Sequence, residues 1–290
     1  METIEEAAVE FRPEDAVAIQ PSAYVLELSP DWIVERASEN VHHLLGESHV
    51  TLIEEPLGRF VHSQALHDLR NLFSRLSGST GIARAYRVRL TDDPDLFDVA
   101  FQQSGDRVIL EAVPTPADGL GETLSAVGGL AAGLESERGP GLLEAAARRM
   151  RALTAFDRVT VLVADSKSTS SRTGVPFRAG ANESLSDGFP PLIPDSQGKP
   201  VAVFPREDED SAIATALLRA PDDDQNGELS ERGFASTMRV PVAINGAKVG
   251  EFRLAHTTPR RPSFELHAAA ELFAQLFAMR LEVDRLRAGS

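Results

Sequence analysis

The chain has 290 residues, enough for about two domains of ordinary size. Its 44 acidic and 29 basic residues give a formal net charge of −15, which disfavours binding to nucleic acid or to an anionic membrane surface. The absence of cysteine excludes disulfides, thiolate metal sites and thiol nucleophiles. No apolar run approaches the ~20 residues needed to cross a bilayer, so we expect a cytoplasmic protein.

The first part of the chain predicts a small antiparallel sheet. Turn residues separate β-rich or alternating runs at residues 24–28, 32–36, 82–90, 96–102 and 107–113. Residues 40–46 and 63–76 have helical spacing between the second and third runs. Five strands with helices on one side are therefore expected. The boundary is placed at the Pro- and Gly-rich residues 114–119, which gives a first domain over 1–117 with an N-terminal extension.

The second part, residues 118–290, begins and ends with long helices. Helices are expected from Leu120, over 142–154 and from Phe264, with strands at 156–163, 201–204, 237–244 and 248–254. An Asn245-Gly246 hairpin turn joins the last two strands. Residues 165–199 form a long polar stretch rich in Ser, Gly and Pro, a typical place for a functional insertion. Both domains together indicate an α+β protein.

Two helical stripes have the alternating spacing of a coiled-coil seam. They consist of Leu120, Leu124, Val127, Ala131 and Leu134 in the first helix, and of Leu272, Leu276, Met279, Val283 and Leu286 in the last. A second face of the last helix carries Phe273, Phe277 and Leu281. The stripes predict a homodimer through parallel helices, while the alternative is that they are part of the internal core.

Several motifs resemble the PAS and GAF chromophore-binding module of phytochromes, the bacteriophytochrome type in particular. Residues 233–261 (GFASTMRVPVAINGAKVGEFRLAHTTPRR) align without gaps with the strand, hairpin, strand and His-His-x-x-Pro segment of that family. Further matches are Phe156-Asp157-Arg158-Val159, Leu218-Arg219 and Ala18-Ile19-Gln20-Pro21. The resemblance implies an N-terminal PAS domain and a C-terminal GAF domain, each an antiparallel sheet flanked by helices. It also implies a figure-eight knot, with residues 165–199 as a lasso around the segment before Ile19.

The chain departs from the family at the residues that hold the linear tetrapyrrole. The attachment cysteine is missing, and without a thiolate a covalent bilin bond is excluded. The Pro-x-Ser-Asp-Ile-Pro motif is replaced by residues 189–194 (FPPLIP), without the aspartate. Two expected histidines fall at Gln225 and Ala255, which leaves only His256. Arg219 keeps a position that binds a propionate, but seven carboxylates lie at residues 207–210 and 222–224.

The resemblance gives a set of candidate residues for a ligand pocket. They are Arg219, Gln225, His256, Pro190, Ile193, Pro194, Thr237 and Arg239. His256 is either a ligand donor or a structural residue at a strand end. His267 lacks the sequence context of a phosphoacceptor helix, so a solvated helix face is expected. His42, His43 and His49 are expected to be surface residues, and no metal site is predicted.

No nucleophile elbow, phosphate loop or carboxylate dyad is complete, so the sequence does not indicate an enzyme. The prediction is a sensory input and dimerisation module of a phytochrome-like signalling protein. It is expected to lack a cofactor, to be independent of light and to act on a kinase or cyclase output domain outside this chain. The alternative is a bacteriophytochrome fragment that binds biliverdin non-covalently through Arg219 and His256.

Overall fold

The structure, a computed structural model, describes residues 17–76, 81–116, 121–163, 169–174, 188–206 and 212–288. The first domain contains the five predicted strands, in the spatial order β3-β2-β6-β5-β4. These strands are β2 (Tyr24–Leu28), β3 (Val34–Ser38), β4 (Ile82–Val88), β5 (Phe97–Ser104) and β6 (Arg107–Pro114). The helices between β3 and β4 are α1 (His42–Leu45), α2 (His49–Leu52) and α3 (Ser63–Phe73).

Both faces of this sheet are covered. Successive side chains on a strand point to opposite faces, so each strand contributes to two cores. On β6, Val108 and Leu110 face a core that includes Leu52 and Leu69 of the local helices. Ile109 and its face of the sheet instead belong to a core shared with the second domain. The sequence predicted helices on one side only, so the second apolar face is where the two domains join.

Two short strands extend the first sheet to seven strands. β1 (Ala18–Ile19) pairs with β10 (Val201–Phe204), and β10 pairs with β3 through Val203 opposite Ser38. The strand predicted at 201–204 is thus present, but it belongs to the sheet of the first domain. The predicted knot depends on residues before Ile19 and on residues 165–199, many of which lie outside the described residues, and it stays a prediction.

The second domain has a five-stranded antiparallel sheet in the order β8-β7-β12-β11-β9. Its strands are β7 (Arg158–Val163), β8 (Thr169–Gly174), β9 (Leu192–Ile193), β11 (Ser236–Ile244) and β12 (Ala247–His256). The predicted hairpin turn is confirmed, since Asn245 and Gly246 have φ values of 51° and 79°. β8 and β9 lie within the stretch that the sequence assigned to an insertion.

Two helices, α5 (Gly139–Thr154) and α7 (Phe264–Ala288), pack on the inner face of the second sheet, and α4 (Gly121–Ala132) packs on these two helices. The helix α6 (Asp223–Arg232) covers the outer face. Phe252 of β12 contacts Phe273 and Phe277 of α7, with ring centroids 6.2 and 5.3 Å apart. The predicted second face of α7 is therefore the one that packs on its own sheet.

The two predicted dimer stripes differ in exposure. Val127 and Leu134 on the first stripe are 1% exposed and belong to the core of their own chain, so they are unavailable to a partner. The prediction was wrong for these two, because the stripe packs against α7 of the same chain. Leu120 and the side chain of Leu124 lie outside the described residues.

The stripe on α7 is largely exposed. The exposed fractions are 40% for Leu272, 60% for Met279, 41% for Val283 and 66% for Leu286, while Leu276 is half-buried. Among the described residues, no helix combines the length and the apolar character needed to span a bilayer.

Candidate functional site

The candidate site lies on the outer face of the second sheet, under α6 and residues 188–194. The helix α6 begins with a capping box in which Asp222 and Gln225 bond to each other's backbone N–H groups. It ends at Gly233, whose φ of 78° suits glycine at this position. These two ends fix α6 across the sheet and hold Gln225 above it.

An apolar cluster occupies the space between α6, the sheet and residues 188–194. It consists of Phe189, Ile193, Leu229, Phe234 and Ala255, each at most 4% exposed. Pro190 and Pro194 are buried beside it in the same segment. The structure therefore brings Pro190, Ile193 and Pro194 together as predicted candidates, in a tightly packed wall.

Three of the polar candidates bind the backbone of the segment that covers the site. Arg219 Nη2 and Gln225 Nε2 both donate to the carbonyl oxygen of Gly188, at 3.2 and 3.1 Å. Arg239 Nη1 donates to the carbonyl oxygen of Phe189 at 3.1 Å. Each of these side chains thus uses a hydrogen bond to hold residues 188–189 over the sheet.

A buried ion cluster lies next to this segment on β11 and β12. Glu251 accepts from Arg239 Nε at 3.1 Å, from Lys248 Nζ at 2.9 Å and from Arg253 Nε at 2.7 Å. Burial alone would raise the pKa of Glu251, but these hydrogen bonds and the charge of Arg239 lower it overall. Glu251 is therefore ionised near neutral pH and stabilises its cationic neighbours.

His256 does not join the other candidates. Ala255 belongs to the apolar cluster, and strand alternation turns the next side chain to the opposite face. There His256 Nδ1 lies 2.9 Å from Asp157 Oδ2, and its ring contacts Phe156. Burial lowers the pKa of His256 against the attraction of Asp157. His256 thus contacts Asp157 and Phe156 on the face opposite the site, and Ala255 occupies the neighbouring position on the site's side.

Thr237 remains a polar group without a partner beside the cluster. It lies opposite Ile193 in the β11–β9 register and opposite Ala255 in the β11–β12 register. Its side-chain oxygen is buried and has no hydrogen-bond partner among the described residues. A water molecule or a ligand hydroxyl or amide would satisfy it.

An open cleft of about 450 Å³ borders the cluster, between the two domains. Its walls include Phe189, Pro191 and Leu217, with Arg239 and Lys248 as cationic groups. No group of three or more His, Asp or Glu side chains suited to a metal ion occurs in the described part of the chain.

His267 was missed as a contact residue by the sequence analysis. It is 1% exposed rather than solvated, and it lies on α7 against the first domain. Arg84 Nη2 of β4 donates to His267 Nδ1 at 2.9 Å and lies 2.8 Å from Glu271 Oε2. Since a guanidinium group can only donate, His267 is neutral with its proton on Nε2. Burial lowers the pKa of His267, with Glu271 opposing and Arg84 adding to the shift.

Glu111 is a second buried contact between the domains. Its two carboxylate oxygens accept the backbone N–H groups of Leu217 and Leu218 at 2.7 and 2.8 Å. Burial raises its pKa to about 7, although these two hydrogen bonds and the charge of Arg84 act in the opposite direction. The segment that ends at Arg219 is thus fixed to the first sheet by one carboxyl group.

Comparison with known proteins shows what this arrangement resembles. Residues 14–115 match the family model PAS_2, described as a PAS fold. The chromophore-binding domain of Stigmatella aurantiaca phytochrome P1 has a TM-score of 0.71 at 24% identity, covering 90% of this chain and 95% of that one. No curated protein matches the sequence.

Two further structures show the same fold. The chromophore-binding domain of an unusual bacteriophytochrome from R. palustris has a TM-score of 0.73 at 21% identity, covering 95% of this chain and 98% of that one. The photosensory core module of Stigmatella aurantiaca phytochrome has a TM-score of 0.74 at 22% identity, covering 98% of this chain and 61% of that one. The chain thus has the fold of these chromophore-binding domains, in which the matched PAS domain is followed by a GAF-type fold. Its fold is the phytochrome type, as the sequence predicted.

Proposed function

We propose that this chain is a non-catalytic sensory input and dimerisation module that has a phytochrome fold but works without a covalent bilin and independently of light. The observation that carries the proposal is at the end of β12, in a chain without cysteine. Ala255 faces the apolar cluster, and the remaining histidine of the family pair, His256, is turned towards Asp157. Neither a thiol nor an imidazole is supplied on the site's side at this strand end.

The polar candidates support the same conclusion. Arg219 and Gln225 are engaged with the carbonyl oxygen of Gly188, and Arg239 is engaged with Phe189 and Glu251. A dianionic pigment would have to displace these bonds and the packed Phe189 side chain. The residues present therefore do not match the set that binds a tetrapyrrole in phytochromes, and no photochemical step is derived for them.

An absorbance spectrum tests this proposal. The purified chain is incubated with excess biliverdin and desalted, beside the chromophore-binding domain of Stigmatella aurantiaca phytochrome P1 as a positive control. We expect no retained red-absorbing band for this chain. A retained band that photoconverts would overturn light independence and establish the second candidate, a photoreceptor with non-covalent biliverdin.

The second candidate has one specific observation in its favour. The buried oxygen of Thr237 has no partner among the described residues. Arg239, two residues further along β11, lines a cleft of about 450 Å³ whose walls also contain Lys248, Glu251 and Glu271. In that case Thr237→Val should weaken biliverdin retention, while Thr91→Val, far from the site on the first domain, should not. If neither the parent chain nor these variants retain the pigment, the candidate is excluded.

Dimerisation through α7 is the second part of the proposal. The side chains of Leu272, Met279, Val283 and Leu286 form an exposed apolar stripe along one helix, a pattern that favours helix pairing. Signalling to an output domain outside this chain would then pass through the end of α7 as a small shift between the paired helices.

Light scattering after size exclusion tests the dimer. We expect the mass of two chains, and Met279→Glu should produce the monomer mass because it places a charge in the seam. Val50→Glu is the matched control, since Val50 is an equally apolar side chain that is 73% exposed on the PAS domain. A parent chain that stays monomeric at all concentrations would refute the dimer.

A further inference from the structure

The PAS domain has a groove of about 640 Å³ at the free edge of its sheet, far from the candidate site in sequence. One wall is a face of α3, where Ala65 and Leu69 are buried in the core of the domain and Leu72 is half-buried. Leu72 forms an apolar floor together with the half-buried Ala85 and Val88 of β4. The other wall is residues 85–89, which are the second half of β4 and the residue after it. An apolar floor between a helix and a strand edge is a shape that accepts an extended chain.

The strand that forms this wall has an irregular and unpaired edge. β4 is the last strand of the sheet, and within the described residues β5 is its only neighbour. A register shift between Ala85 and Val88 marks a bulge, and Arg87 has a φ of 56°. The backbone groups on the outer side of β4 therefore have no further strand to pair with in the described structure.

Three arginines surround the apolar floor, Arg75 on the helix wall and Arg87 and Arg89 on the strand wall. All three are exposed, and none has an ion pair or a side-chain hydrogen bond to another described residue. Asp68 is the carboxylate among the described lining residues, and it accepts a hydrogen bond from Gln64 at 2.9 Å. In a chain with a net charge of −15, the lining of this groove thus has an excess of cations, three arginines to one carboxylate.

We propose that this groove binds an extended acidic and amphipathic segment of a partner protein, which adds as a strand to the edge of β4. Alternate apolar side chains of the segment would contact the floor, and its carboxylates would pair with Arg75, Arg87 and Arg89. The helical part of the wall, from Gln64 to Phe73, is about 14 Å long at 1.5 Å per residue, which matches about four residues of extended chain at 3.3 Å each, and Arg75 lies just beyond it. The segment therefore needs about five to seven residues.

A bulge and charged side chains on an edge strand can also serve to prevent strand pairing. That explanation accounts for Arg87 and Arg89, but it does not account for Arg75, which lies on the opposite wall and is no part of the edge. Cations on both walls of an apolar floor favour an anionic occupant instead.

Fluorescence anisotropy with a labelled seven-residue peptide of alternating Glu and Val tests the proposal. We expect saturable binding that weakens with salt, and no binding of the equivalent Lys and Val peptide. Arg75→Glu with Arg87→Glu and Arg89→Glu should weaken binding by at least about tenfold, because three favourable ion pairs become repulsive. The charge-matched control is Arg148→Glu with Lys199→Glu and Arg261→Glu, three exposed cations outside the groove.

Two further measurements separate the parts of the proposal. If the glutamate variant does not fold, the same three arginines changed to Gln provide the test, since their loss should still weaken binding. Peptides N-methylated at alternate residues should bind poorly if the segment adds as a strand. Equal binding by the parent, groove and control variants, or by both peptides, would overturn charge recognition. Binding of decanoate without binding of the Glu and Val peptide would overturn a peptide partner.

Discussion

Glu111 provides the sharpest test of how the two domains are joined. It is 1% exposed, yet both its oxygens accept backbone N–H groups of the second domain. Its pKa is raised from 4.5 to about 7 in the folded protein, so the folded state binds more protons than the unfolded state between these pH values. The contribution of Glu111 to stability is therefore fully present below about pH 4.5 and is lost as the pH rises through 7.

The size of this effect follows from the shift. A difference of about 2.5 pKa units corresponds to about 3 kcal/mol at 1.36 kcal/mol per unit, an order-of-magnitude value. In Glu111→Gln the position no longer titrates. We expect the free energy of unfolding of the parent chain, minus that of the variant, to fall by up to about 3 kcal/mol between pH 5 and pH 8.

Urea unfolding followed by circular dichroism at several pH values measures this difference. Glu39→Gln, an exposed carboxylate on the same domain, controls for the change in net charge. Groups that titrate in both proteins cancel in the subtraction unless they contact Glu111. A difference that stays constant from pH 5 to pH 8 would refute the reasoning, because Glu111 would then keep one protonation state throughout.

Three further predictions concern the other buried contacts. His267→Gln should show the opposite pH dependence, because the pKa of His267 is lowered and its contribution to stability is present above pH 6.5 and is lost as the pH falls. In urea unfolding, the free energy of unfolding of the parent minus that of the variant should therefore shrink from pH 7.5 to pH 5. A difference that does not shrink would contradict this. Leu229→Ala should lower the free energy of unfolding by about 2–5 kcal/mol by opening a cavity in the apolar cluster, whereas Leu286→Ala on the exposed stripe of a monomeric sample should cost much less. Asp222→Ala should cost about 1 kcal/mol through loss of the α6 cap, and an unchanged denaturation midpoint would show that the cap contributes nothing.

The PAS sheet was predictable because each of its strands has a recognisable local sequence pattern. Turn residues bound each run, and the β-rich or alternating pattern within the run is typical of a strand. The strand β8 (TSSRTG) was missed because it is polar throughout and pairs with β7 at the edge of its sheet. The helix α6 was also missed, although Asp222 and Gln225 have the spacing of a capping box.

The sequence could name candidate residues for the site but not their geometry. The resemblance to phytochromes named Arg219, Gln225 and Arg239 as pocket candidates, and all three donate hydrogen bonds to the carbonyl groups of residues 188–189. Sequence spacing could not show that they bind backbone, since the carbonyl groups come from a segment about 30–50 residues away. His256 lies on the opposite face of the sheet from these three residues, because neighbouring positions on a strand face opposite sides.

The same distant contacts explain why the candidate site and the PAS domain are parts of one assembly. Residues 217–219 bind several distant parts of the chain. Glu111 accepts from Leu217 and Leu218, Gln20 N–H donates to the carbonyl of Leu218, and Arg219 donates to Gly188. The carbonyl of Leu217 also accepts from the N–H of Leu192, within the segment that covers the site. A displacement of residues 188–194 therefore has to strain bonds that lead to the PAS sheet and to the N-terminal strand. We therefore expect a substitution or a ligand that displaces residues 188–194 to alter the hydrogen bonds at the domain junction, with or without a pigment.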